Sequence, residues 1–366
     1  MIDFTLLPDG ALGWLDASGP ESHLVLSTRV RLARNLRGRP FPVRSGPAER
    51  EAVLEEILTA AGATRPLRAA ALFRLDRLDH DERLQLHERH LVSRELAGLE
   101  GEQAVRPAAA LVSAGLVGAM VNEEDHLRLQ GLVSGLALEA AYRDVDRLDT
   151  ELGQRLPYAF HPEFGYLTSC PTNVGTGLRA SVLIHLPGLV LTKEITKVLQ
   201  GLGQVGLTFR GLYGEGSEVV GNLFQLSNQT TLGRTERELL DHLGKMVRQV
   251  IAYEEEARAV LLRDAPSVIE DKVWRAYGLL RHARSLSFEE AMNLLSGVRL
   301  GAGTGLIREV GVYALNKLLI HTQPAHLAAQ TGLALGDADL PRRRAAYVRG
   351  VLAEEAGRRG GGPEAG

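Results

Sequence analysis

The stretch Leu167–Leu186 constrains the fold most, because a turn-rich loop runs directly into an alternating pattern. Cys170–Gly177 (CPTNVGTG) combines proline, asparagine and glycine with small threonines, which is typical of a turn with accessible backbone N–H groups. Leu178–Leu186 then alternates, and one of its two faces carries Arg179 and Ser181. We predict a loop that leads into a half-buried strand with an arginine directed off the sheet. Taken alone, the stretch equally fits a hairpin with a surface arginine.

Composition and charge exclude several classes of protein. The 366 residues are 45% hydrophobic and 24% charged, as in ordinary globular proteins, and the net charge of -3 argues against a nucleic-acid binder. The sequence has no apolar run of about 18 residues, so we predict no membrane span. The N-terminal segment lacks the basic start of a secretory signal, and the single cysteine allows no internal disulfide. We therefore expect a cytoplasmic protein.

Arginines lie on the polar faces of the predicted strands. The segment Leu24–Leu32 alternates, and its polar face carries Ser27, Arg29 and Arg31. Arginine pairs with two phosphate oxygens at once, so several arginines on a stiff sheet suit a phosphate group. For any single segment, a solvated outer face is the alternative. If the strands share one sheet, five arginines can converge on a phosphate group: Arg29, Arg31, Arg128, Arg179 and Arg210.

Acidic residues lie next to two of these strands. Asn122–Asp125 (NEED) is a predicted turn before the alternating segment His126–Gln130, and Glu215 lies in the glycine-rich loop Gly211–Glu218. That loop is a weak phosphate signal and fits neither the Walker nor the Rossmann pattern. An acidic turn is usually solvated, but carboxylates on a stiff support can hold a cation.

Helical patterns fill much of the remaining chain. We predict helices over Asp81–Ala97, with His90 late in it, over Gly131–Leu152 and over Pro187–Leu202. A lone histidine such as His90 is more often structural than a ligand. From the capping box at Thr235 onward we predict helices only. The expected domains are a mixed α/β domain at 1–255, a helical domain at 256–355 and a disordered tail at 356–366.

Four motifs, in this order along the chain, resemble those of the phosphagen kinase family. They are Ser27–Arg31 (STRVR), Asn122–Arg128 (NEEDHLR), Cys170–Thr176 (CPTNVGT) and Arg210–Glu215 (RGLYGE). Within that family the chain most resembles the bacterial protein arginine kinase branch. That closer similarity includes the helical C-terminal part and three further segments: Arg179–Ser181, Tyr213–Glu218 and Ser227–Gln229.

The resemblance implies a fold, a phosphoryl donor and a set of site residues. The fold is α+β, with an antiparallel β-sheet flanked by helices (phosphagen kinase/glutamine synthetase-like) and a following all-α domain that forms a homodimer. The donor is ATP, with Mg2+ held mainly by phosphates and water and no protein metal ligand. Glu124 and Glu215 would be the catalytic carboxylates and Cys170 would lie beside the guanidinium, although a small buried thiol is an equal alternative.

The same resemblance assigns the binding residues by motif position. The implied substrate-binding residues are Glu123, Glu124, Asp125 and Thr172. The implied ATP-binding residues are Ser27, Thr28, Arg29, Val30, Arg31, His90, Arg128, Arg179, Ala180, Ser181, Val182, Leu183, Arg210, Gly211, Leu212, Tyr213, Gly214 and Glu215.

The nature of the substrate follows from what precedes the first motif. Family members that act on small guanidino compounds carry a separate N-terminal helical domain, and a first motif at Ser27 leaves no room for one. We therefore expect arginines in proteins as substrates, marked for repressor inactivation or Clp-type degradation in a stress response. The implied partners are a small zinc-binding activator, a Clp unfoldase and a transcriptional repressor. The alternatives are a catalytically silent adaptor that binds ATP or phosphoarginine, and a kinase for free arginine or another small guanidino compound.

One motif of the protein arginine kinase branch is incomplete. The branch carries Arg-Asp-x-x-Arg-Ala, which binds phosphoarginine for allosteric control. The corresponding segment is Leu340–Ala345 (LPRRRA), which lacks the first arginine and the aspartate but retains Arg343 and Arg344. The resemblance therefore implies a complete kinase site, and it places an allosteric phosphoarginine pocket, if one is retained, at Arg343 and Arg344.

Overall fold

Antiparallel strand pairing organises the main sheet of the computed structural model, which describes residues 2–99, 105–212 and 219–360. The strands are β1 (Val25–Arg34), β2 (Ala71–Arg74), β3 (Ala110–Ser113), β4 (Val117–Val121), β5 (Leu127–Ser134), β6 (Phe160–His161), β7 (Gly165–Tyr166), β8 (Leu178–His185), β9 (Leu207–Gly211) and β10 (Leu223–Asn228). The eight-stranded sheet has the order β2-β3-β4-β5-β1-β8-β10-β9, and β6 and β7 form a separate hairpin. The antiparallel sheet with helices confirms the predicted α+β class.

Helices account for most of the remaining described chain. They are α1 (Pro47–Gly62), α2 (His80–Glu88), α3 (Leu138–Gly153), α4 (Pro187–Leu191), α5 (Ile195–Gln204), α6 (Glu236–Asp264), α7 (Pro266–His282), α8 (Phe288–Thr304), α9 (Val312–His321), α10 (Pro324–Thr331) and α11 (Leu340–Gly360). Beyond β10 the described residues contain helices and no strand, as the change of pattern near residue 235 predicted. In the part of the chain that the structure describes, no helix combines the length and apolar character that crossing a bilayer needs.

The chain divides into two compact units. The first unit comprises Met1–Trp14, Ser27–Val182 and Ser227–Lys245, and the second comprises Leu15–Leu26, Leu183–Leu226 and Met246–Gly366. Within the first unit α3 packs on β5, and within the second α7 packs on α8. The domain boundary at residue 255 stays a prediction.

The pairing of β1 with β5 determines which side chains share a face in the first unit. Arg31 pairs with Gln130, and Ala33 pairs with Arg128. Directly paired residues lie on the same face of a sheet, and successive residues alternate between faces. Arg29, Arg31 and Arg128 therefore share one face, as the alternation in the sequence predicted.

The helix predicted over Asp81–Ala97 is wrong in its second half, because α2 ends at Glu88. His90 adopts a left-handed φ of 59°, which a continuing helix does not allow. The turns that replace the helix bring four buried residues of this segment into one apolar cluster with α2: Leu91, Val92, Leu96 and Ala97. Burial of these side chains, rather than helical periodicity, therefore decides the local structure.

The helix predicted from Gly131 begins later, because β5 continues through Ser134. A Cβ atom at position 131 would lie 2.6 Å from Val145 Cγ2 and 2.8 Å from the carbonyl oxygen of Ala141. Glycine therefore lets the strand pass directly beneath α3, which begins at Leu138.

Two further predictions change at helix ends. The helix predicted over Pro187–Leu202 is divided into α4 and α5, because Lys193 between them adopts a left-handed φ of 65°. The last helix continues to Gly360, past residue 355 where we expected a disordered tail, and Arg358 Nη1 lies 3.5 Å from Glu355 Oε1 within the added turn. The remainder of the predicted tail, residues 361–366, lies outside the described residues.

Candidate active site

Four arginines from β1, β5 and β8 converge in the first unit: Arg29, Arg31, Arg128 and Arg179. Burial lowers the pKa of Arg31 well below its usual range, and the charges of the other three arginines lower it further, whereas Glu123 opposes the shift. Like charges that lie this close repel one another, and the repulsion is strongest where water is excluded. The face therefore favours a ligand with several negative charges.

Arg31 also presents a buried donor to this face. Its Nε is inaccessible to solvent and has no acceptor among the described residues. A buried N–H without an acceptor costs free energy that a phosphate oxygen can recover. The donor chemistry of the site therefore fits a phosphate chain.

Arg128 is oriented by two carboxylates of the preceding turn. Its Nη1 lies 2.5 Å from Glu123 Oε2, and its Nη2 lies 3.1 Å from Glu124 Oε2. Burial opposes the charge of Arg128, but the nearby carboxylates outweigh burial and raise its pKa. The guanidinium of Arg128 is therefore charged and held in one orientation by the protein itself.

The acidic turn Asn122–Asp125 is buried rather than solvated. Asn122 adopts a left-handed φ of 58°, and its side-chain amide donates to two backbone carbonyls. Asp125 Oδ1 accepts hydrogen bonds from Asn35 Nδ2 at 2.6 Å and from the backbone N–H of Ser169 at 2.7 Å. Asp125 therefore ties the turn to the residue before Cys170, so its described contacts are supporting ones. Its predicted contact with a substrate stays a prediction.

Glu124, Cys170 and Thr172 meet beside the arginines. Cys170 Sγ lies 3.1 Å from Thr172 Oγ1, and the Cys170 thiol lies close enough to Glu124 to influence its pKa. Burial raises the pKa of Glu124 and the neighbouring acids add to this, while Arg128 and the thiol oppose it. The Glu124 side chain remains 28% exposed, so a ligand can reach it. Three of the predicted catalytic and substrate-binding residues are thus adjacent.

The loop Cys170–Gly177 is held by contacts on its inner side. Thr231 Oγ1 donates to the carbonyl oxygen of Val174 at 2.7 Å. Gly177 has a left-handed φ of 67°, and a Cβ there would lie 2.6 Å from the carbonyl oxygen of Ala33 on β1. Only glycine fits this approach, so Gly177 at the end of the loop sets the distance between the loop and the sheet.

β8 carries the next group of predicted phosphate contacts. The side chain of Asn228 forms two hydrogen bonds with the backbone of this strand. Its Oδ1 accepts from the N–H of Ala180 at 2.8 Å, and its Nδ2 donates to the carbonyl of Leu178 at 3.0 Å. Arg179 Nη2 lies 3.4 Å from Ser227 Oγ. The other predicted residues of the strand are buried, namely Ser181, Val182 and Leu183.

Not every residue of the first arginine motif faces the site. Thr28 Oγ1 donates to the carbonyl of Gly135 at 2.6 Å and accepts from the N–H of Ala137 at 3.0 Å, so it fixes the turn before α3. Val30 is fully buried on the same side as Thr28, opposite the arginine face that Ser27 shares. ATP contacts by Thr28 and Val30 stay predictions.

His90 lies close to the arginines but is itself tightly packed. Its ring contacts Trp14 edge-to-face, with ring centroids 5.3 Å apart. Burial lowers the pKa of His90 well below its usual range, and the charges of Arg29 and His87 add to the shift. A neutral imidazole therefore lies beside Arg29, which agrees with the structural role that a lone histidine usually has.

The remaining predicted residues lie in the second unit or outside the described chain. Arg210 and Gly211 end β9, and Leu212 follows as a buried residue. Tyr213, Gly214 and Glu215 lie outside the described residues. The second predicted carboxylate therefore stays a prediction.

The two arginines of the incomplete allosteric motif have different surroundings. Arg343 Nε lies 3.0 Å from Asp339 Oδ2 on the exposed side of α11. Arg344 is buried and donates to the carbonyls of Thr322 at 2.8 Å and Leu286 at 2.9 Å. These contacts give Arg344 a role in joining helices of the second unit, and a phosphoarginine pocket at this position stays a prediction.

Sequence reasoning assigned no role to several residues that support the site. Arg34 and Asn35 lie at the end of β1, three and four residues after the arginine motif, and Thr231 lies just beyond β10. Arg34 Nη1 donates to the carbonyl of Thr176 at 2.8 Å, which adds a further support to the loop. The available signal was the run of polar residues at a strand end, where side chains commonly satisfy loop backbone groups.

Two family models match most of the chain. The model described as the ATP:guanido phosphotransferase C-terminal catalytic domain matches residues 52–257. The model described as the protein-arginine kinase McsB C-terminal domain matches residues 266–360.

Relatives and solved structures show similarity over most of this length. The chain is 45% identical over 345 residues to the protein-arginine kinase of Pelotomaculum thermopropionicum, covering 93% of this chain and 95% of that one. It is 44% identical over 345 residues to that of Symbiobacterium thermophilum, with 93% and 96% covered. The duplicated taurocyamine kinase of Schistosoma mansoni is similar with a TM-score of 0.59 and 27% identity, over 70% of this chain and 35% of that one. Lombricine kinase shares the fold with a TM-score of 0.57 and 24% identity, over 70% and 71%.

We predict that Glu123→Gln lowers the free energy of unfolding by about 3–5 kcal/mol, because it leaves the charge of Arg128 buried without its nearest partner. Thermal unfolding followed by circular dichroism measures the change. The control is Glu51→Gln, which removes a carboxylate that is 43% exposed and 2.7 Å from Arg74, and which should have a much smaller effect. An unfolding midpoint for Glu123→Gln equal to that of the control would contradict the role of Glu123.

Proposed function

The chain belongs to the ATP:guanido phosphotransferase family, and we propose that it transfers the γ-phosphoryl group of ATP to the guanidinium of arginine residues in proteins. The observation that supports this best is that positively charged and negatively charged binding groups lie next to each other in the first unit. Four arginines suited to a phosphate chain lie beside the partly exposed carboxylate of Glu124, which is suited to a guanidinium. A phosphoryl donor and an arginine acceptor can therefore approach each other at the boundary between them.

The acceptor must lose a proton during the reaction. A guanidinium has a pKa of about 12.5 or more, so removing its proton at neutral pH before transfer would cost about 8 kcal/mol. A carboxylate beside it favours the charged form and makes early removal harder. We infer that the proton leaves during phosphoryl transfer. A loose transition state permits this, because the bond to the nucleophile forms late.

Each group of residues has a distinct part in this step. Glu124 binds and orients the guanidinium, and Glu124 or Glu215 accepts the proton. Proximity and orientation together can lower a reaction barrier by about 7–11 kcal/mol, and holding the guanidinium in this way can supply part of that reduction. The arginines align the γ-phosphoryl group and stabilise its charge as it moves. Cys170 favours the ionised form of Glu124, because the neighbouring thiol lowers the pKa of that carboxyl group.

Mg2+ is part of the proposal, and the donor set of the site indicates how it is held. Glu123 and Glu124, the carboxylates nearest the arginines, already contact Arg128, and the face otherwise offers guanidinium donors. This fits an ion that arrives with the phosphates and keeps water ligands rather than one bound by protein side chains. When bound, the ion supplies neutralisation of phosphate charge.

Sequence identity of 44–45% with protein-arginine kinases, over 93% of this chain, favours a protein substrate over free arginine. By the same analogy we propose a homodimer in the cytoplasm, a small zinc-binding activator, and a role in a stress response that involves a Clp unfoldase and a transcriptional repressor. A kinase for a small guanidino compound is the competing activity, since the taurocyamine and lombricine kinases share the fold.

We expect Glu124→Gln to abolish transfer while leaving ATP binding nearly intact, because the amide cannot hold a guanidinium as a carboxylate does. Transfer is measured as acid-labile phosphate on an arginine-rich protein and, separately, on free arginine; ATP binding is measured by calorimetry. Near-normal transfer by Glu124→Gln would exclude this role of Glu124. If the wild-type protein phosphorylates free arginine alone, the protein substrate is excluded. If the wild-type protein phosphorylates neither acceptor, a silent adaptor is favoured.

The raised pKa of Glu124 predicts how activity depends on pH. Glu124 must be ionised to hold a guanidinium, so kcat/KM should fall as the pH decreases through a pKa above the ordinary glutamate value. The Cys170 thiol lowers that pKa, so Cys170→Ala should raise it and move the acid limb to higher pH. An acid limb that stays in place in Cys170→Ala would show that the thiol is only a small packed group.

A further inference from the structure

A cavity of about 490 Å3 in the first unit lies outside the residues assigned to catalysis. The end of β1, the exposed side of α3, the β6–β7 hairpin and the first residue of α6 form its walls. Its lining includes four aromatic rings: Tyr142, Tyr158, Phe160 and Tyr166. An aromatic-lined cavity with acidic residues is the kind of site that binds organic cations, because the ring faces carry negative potential.

The charge of the cavity has the sign that a cation requires. Three carboxylates line it, from Asp146, Asp149 and Glu236, against one lining cation, Arg34. Arg34 is already committed to Asp149, with Nη2 2.7 Å from Oδ2. Burial raises the pKa of Tyr142, and the charges of Asp146 and Glu236 are the next causes. Asp146 accepts a hydrogen bond from the Tyr142 hydroxyl at 3.2 Å, which leaves its charge in place. The charges of Asp146 and Glu236 therefore leave the cavity negative.

Arg34 shows that this set of rings accommodates a guanidinium. Its Cζ lies 3.5 Å from the centroid of the Tyr166 ring and 5.8 Å from that of Tyr158. The same guanidinium forms a two-point contact with Asp149. Stacking on a ring combined with a carboxylate contact is therefore the recognition chemistry of this wall.

The outer wall of the cavity is an aromatic ring that the core does not use. Phe160 is 56% exposed, and its ring lies 5.3 Å from that of Tyr166 in an edge-to-face arrangement. Exposed aromatic side chains are enriched at binding surfaces. A second cation can therefore stack on Phe160 while it contacts Asp146 or Glu236.

The cavity wall is continuous with the loop that carries Cys170 and Thr172. The backbone N–H of Tyr166 donates to the carbonyl of Gly175 at 2.8 Å, and the N–H of Gly175 donates back at 3.2 Å. One short segment, residues 165–177, thus contributes both to the cavity and to the predicted acceptor side of the active site. This continuity favours an occupant that belongs to the same molecule as the reacting arginine.

We propose that the cavity binds a second positively charged side chain, arginine or lysine, of the protein substrate. The proposal rests on the function proposed above, since it assumes a protein that presents a reacting arginine to Glu124. The acidic cavity anchors the substrate through a neighbouring cation, so it selects arginines in basic surroundings. Its contribution is to binding rather than to the chemical step.

The test uses peptides with one arginine and one lysine, with the spacing between them varied, and matched peptides with norleucine in place of lysine. The cavity variant combines Asp146→Asn with Glu236→Gln and so removes the two carboxylates of the lining other than Asp149. The matched control, Asp144→Asn with Asp241→Asn, removes the same charge from exposed positions of α3 and α6 that do not line the cavity. Phe160→Ala is a second, independent variant.

We expect the cavity variant to raise KM for the best lysine peptide about five- to tenfold with kcat unchanged, since a partly exposed ion pair and a cation–π contact are each modest. The norleucine peptides and the control variant should show no change. Equal KM values of the cavity variant and the control variant for the lysine peptide would overturn the proposal. So would an equal rise in KM for the lysine and norleucine peptides.

Peptide binding measured by calorimetry without ATP separates the proposal from the function on which it rests. If the wild-type protein phosphorylates no peptide, the proposed function fails, while a lysine-dependent affinity that the cavity variant loses still supports the cavity. Lysine amide alone should bind far more weakly than the lysine peptide. If it binds as tightly, the occupant is a small free cation and the proposal is overturned.

Discussion

Repulsion among four guanidinium groups on one face of a sheet is the constraint on which the site depends. Antiparallel pairing of β1 with β5 places Arg29, Arg31 and Arg128 on that face, and Arg179 joins them from β8. Such a group can persist only on strands whose positions are fixed by the rest of the fold. Glu123 offsets part of the positive charge at Arg128. The remaining repulsion is strong at Arg31, because Arg31 is buried away from water. The face is thereby prepared for a polyanion.

The acidic side of the site depends on a different set of supports. Asp125 binds the backbone of Ser169, and Thr231 binds the loop from its inner side. These contacts hold Cys170 next to Glu124, so the carboxylate, the thiol and the arginines occupy fixed positions. In the proposed reaction, fixed positions matter because orientation of the guanidinium contributes to the rate only if the groups that orient it do not move.

Sequence reasoning predicted the faces of the strands but not the partners of their side chains. Alternation has a period of two, so Arg29 and Arg31 had to share a face once the segment formed a strand. It could not reveal that Thr28 fixes the turn before α3, or that Asp125 bonds to a loop 44 residues away, because such contacts depend on tertiary packing. Helix ends were also missed where burial overrides periodicity, as in the turns after Glu88. Glu215 stays a prediction from the sequence alone.

The convergence of the arginines is tested most directly by the dependence of unfolding on ATP in Arg31→Met. The substitution removes the buried charge that the other arginines repel, so the protein without nucleotide should unfold at the same temperature as the wild type or higher. At a concentration one hundred times Kd, ATP should stabilise the wild type by about 2.7 kcal/mol and so raise its unfolding midpoint. The variant should lose most of this rise. A variant that is markedly less stable without nucleotide yet keeps the full ATP-dependent rise would contradict a phosphate-binding role for the arginine face.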